Sequence, residues 1–379
     1  MSRPIYLDYN ATTPHDPEVI AAMRPFLETE FGNPSSSHPY GIAAKSAVEN
    51  ARRQVAALLG CRPPEVVFTS GGTESVNFAV RGIASALRAK GNHIITSRIE
   101  HPAVLEVCRC LEREGFETTY LPVDEYGIVH AADVEACIRP ETILISIMHA
   151  NNEVGSIQPI GEIAGIARPR GIALHVDAAQ SIGKIPVNIR DLGVDLLSVA
   201  GHKLYAPKGI GALFIRQEVA IEKLVHGAGQ EMGKRSGTEN VLGIVGLGKA
   251  CDIICRSLDA HANHMRKMRD LLFSELKKGL AHIRLNGHPD MRLPNTLSLS
   301  FKNLEADRIL AEIEPEVAAS AGAACHSGTV ELSHVLKAMN MPMEWAKGTL
   351  RFSAGRLTTP AEIHRAAKII VDSVRRLTK

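Results

Sequence analysis

Lys203 ends the run Ala200-Gly201-His202-Lys203, directly after an apolar stretch. A lysine at a strand end can form a Schiff base once its surroundings lower its pKa, and Gly201 lets the backbone come close to a ligand. A lone lysine is ordinarily a solvated side chain, so the reading depends on the residues around it. Asp177 opens Asp177-Ala178-Ala179-Gln180 straight after His175-Val176. A carboxylate there is either a helix N-cap or a buried group that needs a cation, and a protonated ring nitrogen would serve. Ser70-Gly71-Gly72-Thr73 is a small-residue turn before a helical pattern. Its free N–H groups and the helix dipole suit a phosphate; the alternative is a plain turn with Thr73 as N-cap. It is neither a P-loop nor G-x-G-x-x-G, which disfavours ATP and nicotinamide cofactors.

His101, between Glu100 and Pro102, stands at a helix start, where it can stack on a flat ring, move a proton, or cap the helix. Cys325 lies in the tiny-residue run Ser320-Ala321-Gly322-Ala323-Ala324-Cys325-His326-Ser327-Gly328. Such a run cannot build a core and reads as a mobile loop or tight turn, where an exposed thiol beside a histidine is the reactive sort. The other six cysteines read as structural or incidental. Cys108 and Cys110 point apart on a helix, and Cys251 and Cys255 share a helical face without a second pair, so no metal site is expected. His149 and His175 read as core histidines.

The elements that must position these groups follow from periodicity. Strands are expected over 66–69, 94–96, 143–147, 173–176, 196–199 and 212–215, with amphipathic helices over 77–89 and 103–114. This alternation predicts an α/β layer with a mainly parallel sheet, and ligands bind beyond the carboxyl ends of such strands. Thr73, His101, Asn152, Asp177 and Lys203 all lie just past strand ends. Beyond Cys255 the pattern changes to a long helix over 259–280, a strand over 296–301, helices over 305–313 and 333–339, and a last helix over 360–377. The expected organisation is a large domain over 14–258 and a smaller α+β domain made of 1–13 and 259–379.

Composition narrows the function classes. The 379 residues carry 43 Lys plus Arg against 41 Asp plus Glu, a net charge of +2, so no direct nucleic-acid or membrane partner is expected. No apolar run reaches the roughly 18 residues of a spanning helix, and the first residues lack a signal-peptide core. Seven cysteines do not form a disulfide framework; a cytoplasmic enzyme with reduced thiols is expected.

With these residues in place, the chain resembles the pyridoxal-phosphate-dependent cysteine desulfurases of the NifS/IscS type. The likeness runs from Tyr6-Leu7-Asp8-Tyr9-Asn10-Ala11-Thr12-Thr13-Pro14 to Leu350-Arg351-Phe352-Ser353-Ala354-Gly355-Arg356. It implies the fold-type I of the class-V aminotransferases, working as a homodimer with pyridoxal 5'-phosphate. By that resemblance Lys203 would bind the cofactor covalently, Asp177 would pair with its ring nitrogen and Gln180 with its ring hydroxyl. Asn152 would lie beside ring and substrate, and His101 would stack on the ring and serve in proton transfer. Gly72, Thr73 and His202 would hold the phosphate, helped by Thr238 of the partner subunit. Arg351 would clamp the substrate carboxylate, and Cys325 would be the nucleophile. Cys325 and Arg351 lie 26 positions apart, as in the long-loop group.

Two positions depart from the pattern. Ala200 replaces a phosphate-binding serine of many relatives, and Ala323-Ala324-Cys325-His326-Ser327 is similar to selenocysteine lyases. The resemblance therefore implies conversion of L-cysteine to L-alanine, with the sulfur held on Cys325 as a persulfide and passed to an acceptor protein or thiol, as iron–sulfur cluster assembly requires. The alternatives are a selenocysteine lyase, and a non-catalytic sulfur-relay or scaffold protein on the same fold.

Overall fold

Alternate apolar residues point to opposite faces of a strand, and here both faces are covered. Val67, Ile94, Leu144, Leu196 and Leu213 enter one core, while their neighbours Phe68, Ile95, Ile145, Leu197 and Phe214 enter another. The computed structural model describes residues 3–326 and 329–378, with the side chains of 323–326 and 329–331 outside the described residues.

The chain order begins β1 (Ile5–Tyr6), α1 (Pro17–Glu28), α2 (Pro39–Leu59), β2 (Val66–Thr69), α3 (Gly72–Leu87), β3 (His93–Ser97), α4 (Pro102–Glu112) and β4 (Glu117–Leu121). It continues with α5 (Ala131–Ala136), β5 (Thr142–Ser146), α6 (Ile160–Ala167), β6 (Ala173–Asp177), α7 (Ile189–Leu192), β7 (Leu196–Ala200) and β8 (Gly211–Ile215). The helix α8 (Val241–Gly279) leads to β9 (Ile283–Asn286), β10 (Thr296–Phe301), α9 (Ala306–Ile313), β11 (Val317–Ala318), β12 (Ser320–Ala321), β13 (Ala323–His326) and β14 (Thr329–Leu332). Last come α10 (His334–Ala338), α11 (Met343–Ala346), β15 (Thr349–Ser353) and α12 (Pro360–Leu377).

The seven-stranded sheet has the order β2-β8-β7-β6-β5-β3-β4. Strands β4, β3, β5, β6 and β7 run parallel, joined by crossovers. The strand expected at 212–215 is β8, and it is antiparallel to both β7 and β2 in this mainly parallel sheet. The connection 201–210 is too short for a crossover, which needs a dozen or more residues, so the chain turns straight back.

A second sheet, β12-β15-β10-β9, is antiparallel. Phe301, Phe352, Leu272, Ile309 and Ile370 form its core, and Ile5 and Leu7 from the N-terminal segment join them. Strand β1 pairs in parallel with β11, and Asp8 bridges to Ser353. The tiny-residue run expected as a loop is in part a ribbon: Ala323–His326 pairs with Thr329–Leu332, and the Cys325 backbone sits opposite Val330. The Cys325 side chain lies outside the described residues.

Edge strand β2 leads into the turn before α3, and a buried ion pair holds it. Glu231 accepts from the Phe68 N–H at 2.8 Å and from both terminal nitrogens of Arg52 at 2.7 and 2.8 Å, while Arg52 also donates to the Val66 carbonyl. Both side chains are about 95% shielded from solvent. Removing one partner strands a buried charge, at a cost of about 3–5 kcal/mol. Arg52→Met should therefore lower stability by that amount in urea titration, and a loss below about 1 kcal/mol would contradict the role given to the pair.

Candidate active site

The polar residues past the carboxyl ends of β3, β5, β6 and β7 meet at one cavity. It has a volume of about 410 Å³ and is lined by Gly72, Thr73, His101, Asn152, Asp177, Gln180, Ala200, His202, Lys203 and Arg351, among others. All of the expected site residues whose side chains are described border it, save one. Thr238 lines a second cavity of about 220 Å³ beside Ser70 and Arg235, and does not reach the first within its own chain. Cys325 has its side chain outside the described residues.

The floor is the turn into α3. Gly71, with φ 154° and ψ −176°, is the N-cap, in a region that glycine alone enters freely. Thr73 therefore lies inside the helix and is not its N-cap. The first amides of α3 lack intrahelical acceptors and carry the positive end of the helix dipole. A Cβ on Gly72 would stand 3.1 Å from the Cβ of Ala200, so β7 and the turn approach closely where the sequence has alanine.

Asp177 ends β6. One carboxylate oxygen accepts from the Ala179 N–H at 2.9 Å, a local turn bond, and no cationic side chain among the described residues forms an ion pair with it. Burial raises its carboxyl above the usual carboxylate range, against the pull of His101 and Lys203. A buried carboxylate in this state favours a cation brought into the cavity. His101 caps α4, accepting from the Ala103 N–H at Nδ1, and it borders the cavity. The acceptor role of Nδ1 puts the proton of the neutral ring on Nε2, and burial lowers its pKa.

Lys203 follows β7 in a single 3₁₀ turn, Gly201–Lys203, and donates to the carbonyls of Asn10 and Ala11. Burial, and next the Arg351 guanidinium, bring its ammonium down to about 8. His202 bonds Thr12 Oγ1 at 3.2 Å, and burial with Lys203 nearby lowers it to about 4. Arg351, on β15, donates to Asp8 Oδ1 at 2.7 Å, Ser320 Oγ at 2.9 Å and the Asn152 carbonyl at 3.1 Å. Its Nε is buried without a partner, so one planar donor is unspent.

Asn10, Asp8 and Lys184 were not singled out from the sequence. Asn10 is almost fully buried and its carbonyl accepts from both Lys203 and Gln180. It stands in the N-terminal run 6–14, but nothing in its type marks it. Glu153, next to Asn152, accepts from Ser333 and ties the Asn152 turn to the base of the β13–β14 ribbon. Among the described residues no cluster of metal-ligating side chains occurs and no helix is long and apolar enough to cross a membrane. Cys251 and Cys255 lie one turn apart in α8, the first buried and the second exposed.

The cavity can hold an anion at the start of α3, a cation at Asp177, and a carboxylate at Arg351. In the ligand-free protein, competitive labelling with an amine reagent should give Lys203 a midpoint near 8, against about 10.4 for an ordinary lysine. Arg351→Gln removes a nearby positive charge and should move that midpoint up. A wild-type midpoint near 10 would contradict the account.

Comparison with known proteins agrees with this geometry. Residues 5–366 match the family model described as Aminotransferase class-V. The chain is 48% identical over 378 residues to a protein named Cysteine desulfurase IscS from Dictyoglomus turgidum, covering 100% of this chain and 96% of that one. A solved structure of a NifS-like protein superposes with a TM-score of 0.92 at 39% identity, covering 97% and 98% of the two chains. Another, described as SspA in complex with cysteine, superposes with a TM-score of 0.82 at 36% identity, covering 94% and 100%. From the strand order to the cavity at the strand ends, these are the features of one family, and the chain belongs to it: the class-V aminotransferases, in their cysteine desulfurase branch.

Proposed function

We propose that the cavity takes pyridoxal 5'-phosphate and L-cysteine, and that the chain is a cysteine desulfurase. The observation that carries this reading is the placement of a buried, ion-pair-free Asp177 and a half-buried Lys203 on one cavity, above the N-terminus of α3. The residues fit the cofactor. Asp177 would meet the ring nitrogen, the amides of Gly72 and Thr73 with His202 the phosphate, Gln180 the ring oxygen, and the flat ring of His101 the cofactor face. Ala200 lines the same wall and contributes no hydroxyl. Lys203 would hold the cofactor covalently. When bound, pyridoxal phosphate supplies the electron sink that makes the α-proton of an amino acid removable.

The chain's own groups do the rest. Arg351 and Asn152 bind the substrate carboxylate and fix its plane, Arg351 by exchanging its Asp8 contact for the substrate. Lys203, brought to about 8, moves the α-proton at working pH without a large driving-force penalty. The Cys325 thiolate attacks the substrate sulfur: a sulfur–sulfur bond forms, the carbon–sulfur bond breaks, alanine leaves and Cys325 keeps the sulfur as a persulfide. The neutral His101 ring is placed to exchange the protons of these steps. An acceptor thiol then removes the sulfur. Two copies of the chain would complete each site, with Thr238 of the partner subunit reaching the phosphate.

Borohydride reduction of the cofactor-loaded protein should mark Lys203 in a peptide map; label on another lysine contradicts the assignment. Cys325→Ser should abolish cysteine turnover with cofactor binding unchanged, yet leave measurable selenocysteine turnover, because selenide leaves with less nucleophilic help. Efficient selenocysteine turnover by the wild type with cysteine acting only as an inhibitor would favour the lyase instead. Mixing Lys203→Ala with Thr238→Ala protomers should restore activity above either alone. No recovery despite proven subunit exchange would contradict a shared site.

A further inference from the structure

Lys184 lies outside the 410 Å³ cavity, behind Gln180 and Asn10, and is buried without a carboxylate partner among the described residues. Its Nζ donates to Gln180 Oε1 at 2.6 Å and to Asn10 Oδ1 at 3.1 Å. The two acceptors belong to a connected network. Gln180 Nε2 donates to the Asn10 carbonyl at 3.0 Å, and Lys203 donates to that same carbonyl. The Asn10 amide oxygen also accepts from Asn295 Nδ2 at 2.9 Å. The Asn10 amide nitrogen donates to Thr296 Oγ1 at 2.8 Å and to the Asn152 carbonyl at 3.2 Å, the oxygen that Arg351 also reaches. Lys184 thus stands behind both ends of the site, the Lys203 end and the Arg351 end.

We propose that Lys184 is a positioning residue that anchors the Gln180 and Asn10 amides from behind, so that Gln180 keeps its remaining N–H toward the cavity. This rests on the cofactor reading above. The geometry requires two N–H donors and no charge. Burial, with Lys203 and Arg351 nearby, pushes the Lys184 ammonium well below its ordinary value, and the neutral amine retains both donors. Without them, two buried amide oxygens lose a partner. Gln180 Oε1 has no other among the described residues, so the side chain turns to find one and withdraws its donor from the cavity.

The test is the pH midpoint of the visible band of the pyridoxal-phosphate-loaded protein, read without substrate. A donor facing the ring oxygen favours its ionised form, so losing that donor should raise the midpoint. Of the charged and titratable groups around Lys203, Arg351, Asp8, Asp177, His101 and His202 are untouched by the substitutions; Lys184 itself is removed, and a purely electrostatic effect of that removal would add to the Gln180→Met shift. Lys184→Met should raise the midpoint by about one unit, a tenfold change in the protonation equilibrium. Gln180→Met should raise it similarly, and the double variant should add nothing further, because Lys184 acts through Gln180. Lys184→Leu serves in the same comparison if the methionine variant does not fold. A lower melting temperature with the wild-type midpoint would make Lys184 a structural residue only and overturn the proposal, as would additive shifts in the double variant. Absence of the band in the loaded wild type would instead overturn the cofactor reading, and the proposal with it.

Discussion

A carboxylate buried without an ionic partner is the constraint on which the site turns. Taking such a group out of water costs several kcal/mol unless something compensates it. Asp177 receives one backbone N–H, and the rest of its compensation is electrostatic, from His101 and Lys203. The fold places this carboxylate at the carboxyl end of the central parallel strand β6, where neighbouring strands deliver their own polar residues. Lys203 answers the same burial from the opposite sign. Its ammonium loses stability while that of the carboxylate also falls, and each is left closer to its neutral form than in water. A ligand that brings a cation to Asp177 relieves the first and leaves the second available for proton transfer.

That arrangement depends on contacts far apart in sequence. Asn10 comes from the N-terminal segment, whose neighbours Ile5 and Leu7 pack among Phe301, Phe352 and Ile370. It nevertheless lies against Gln180 and Lys203 from the seven-stranded sheet. Arg351 comes from β15 and reaches the Asn152 carbonyl in the turn after β5. The second sheet and the N-terminal segment packed on it therefore act on the site through the hydrogen bonds of Asn10 and Arg351, which makes the cavity sensitive to how that sheet is seated.

The parts of this architecture that were legible in the sequence share a physical reason. Strands β2, β6, β7 and β8 are short apolar runs bounded by turn residues, so periodicity finds them, and the residues just past them are then site candidates by position alone. Strand β4, Glu117–Leu121, was missed because it is a half-exposed edge whose polar residues look like loop. The first half of α8 was missed because its glycines argue against helix. Packing explains them: a Cβ on Gly246 would stand 2.8 Å from Met23 Sδ, and one on Gly248 would stand 2.6 Å from the Ala51 Cβ. The close approach of α8 to α1 and α2 requires these residues, and tertiary contact overrides propensity. Asn10 and Lys184 illustrate the converse limit. Asparagine and lysine are common, and only the fold shows that their donors and acceptors are buried together.

The central claim is that Asp177 keeps a ring nitrogen protonated inside the cavity. Nitrogen NMR of protein loaded with pyridoxal phosphate labelled at the ring nitrogen tests it most directly. The account predicts a protonated nitrogen in the wild type throughout the neutral range, and its loss in Asp177→Ala with the cofactor still bound. An unprotonated nitrogen in the wild type, or a signal unchanged by Asp177→Ala, would contradict it.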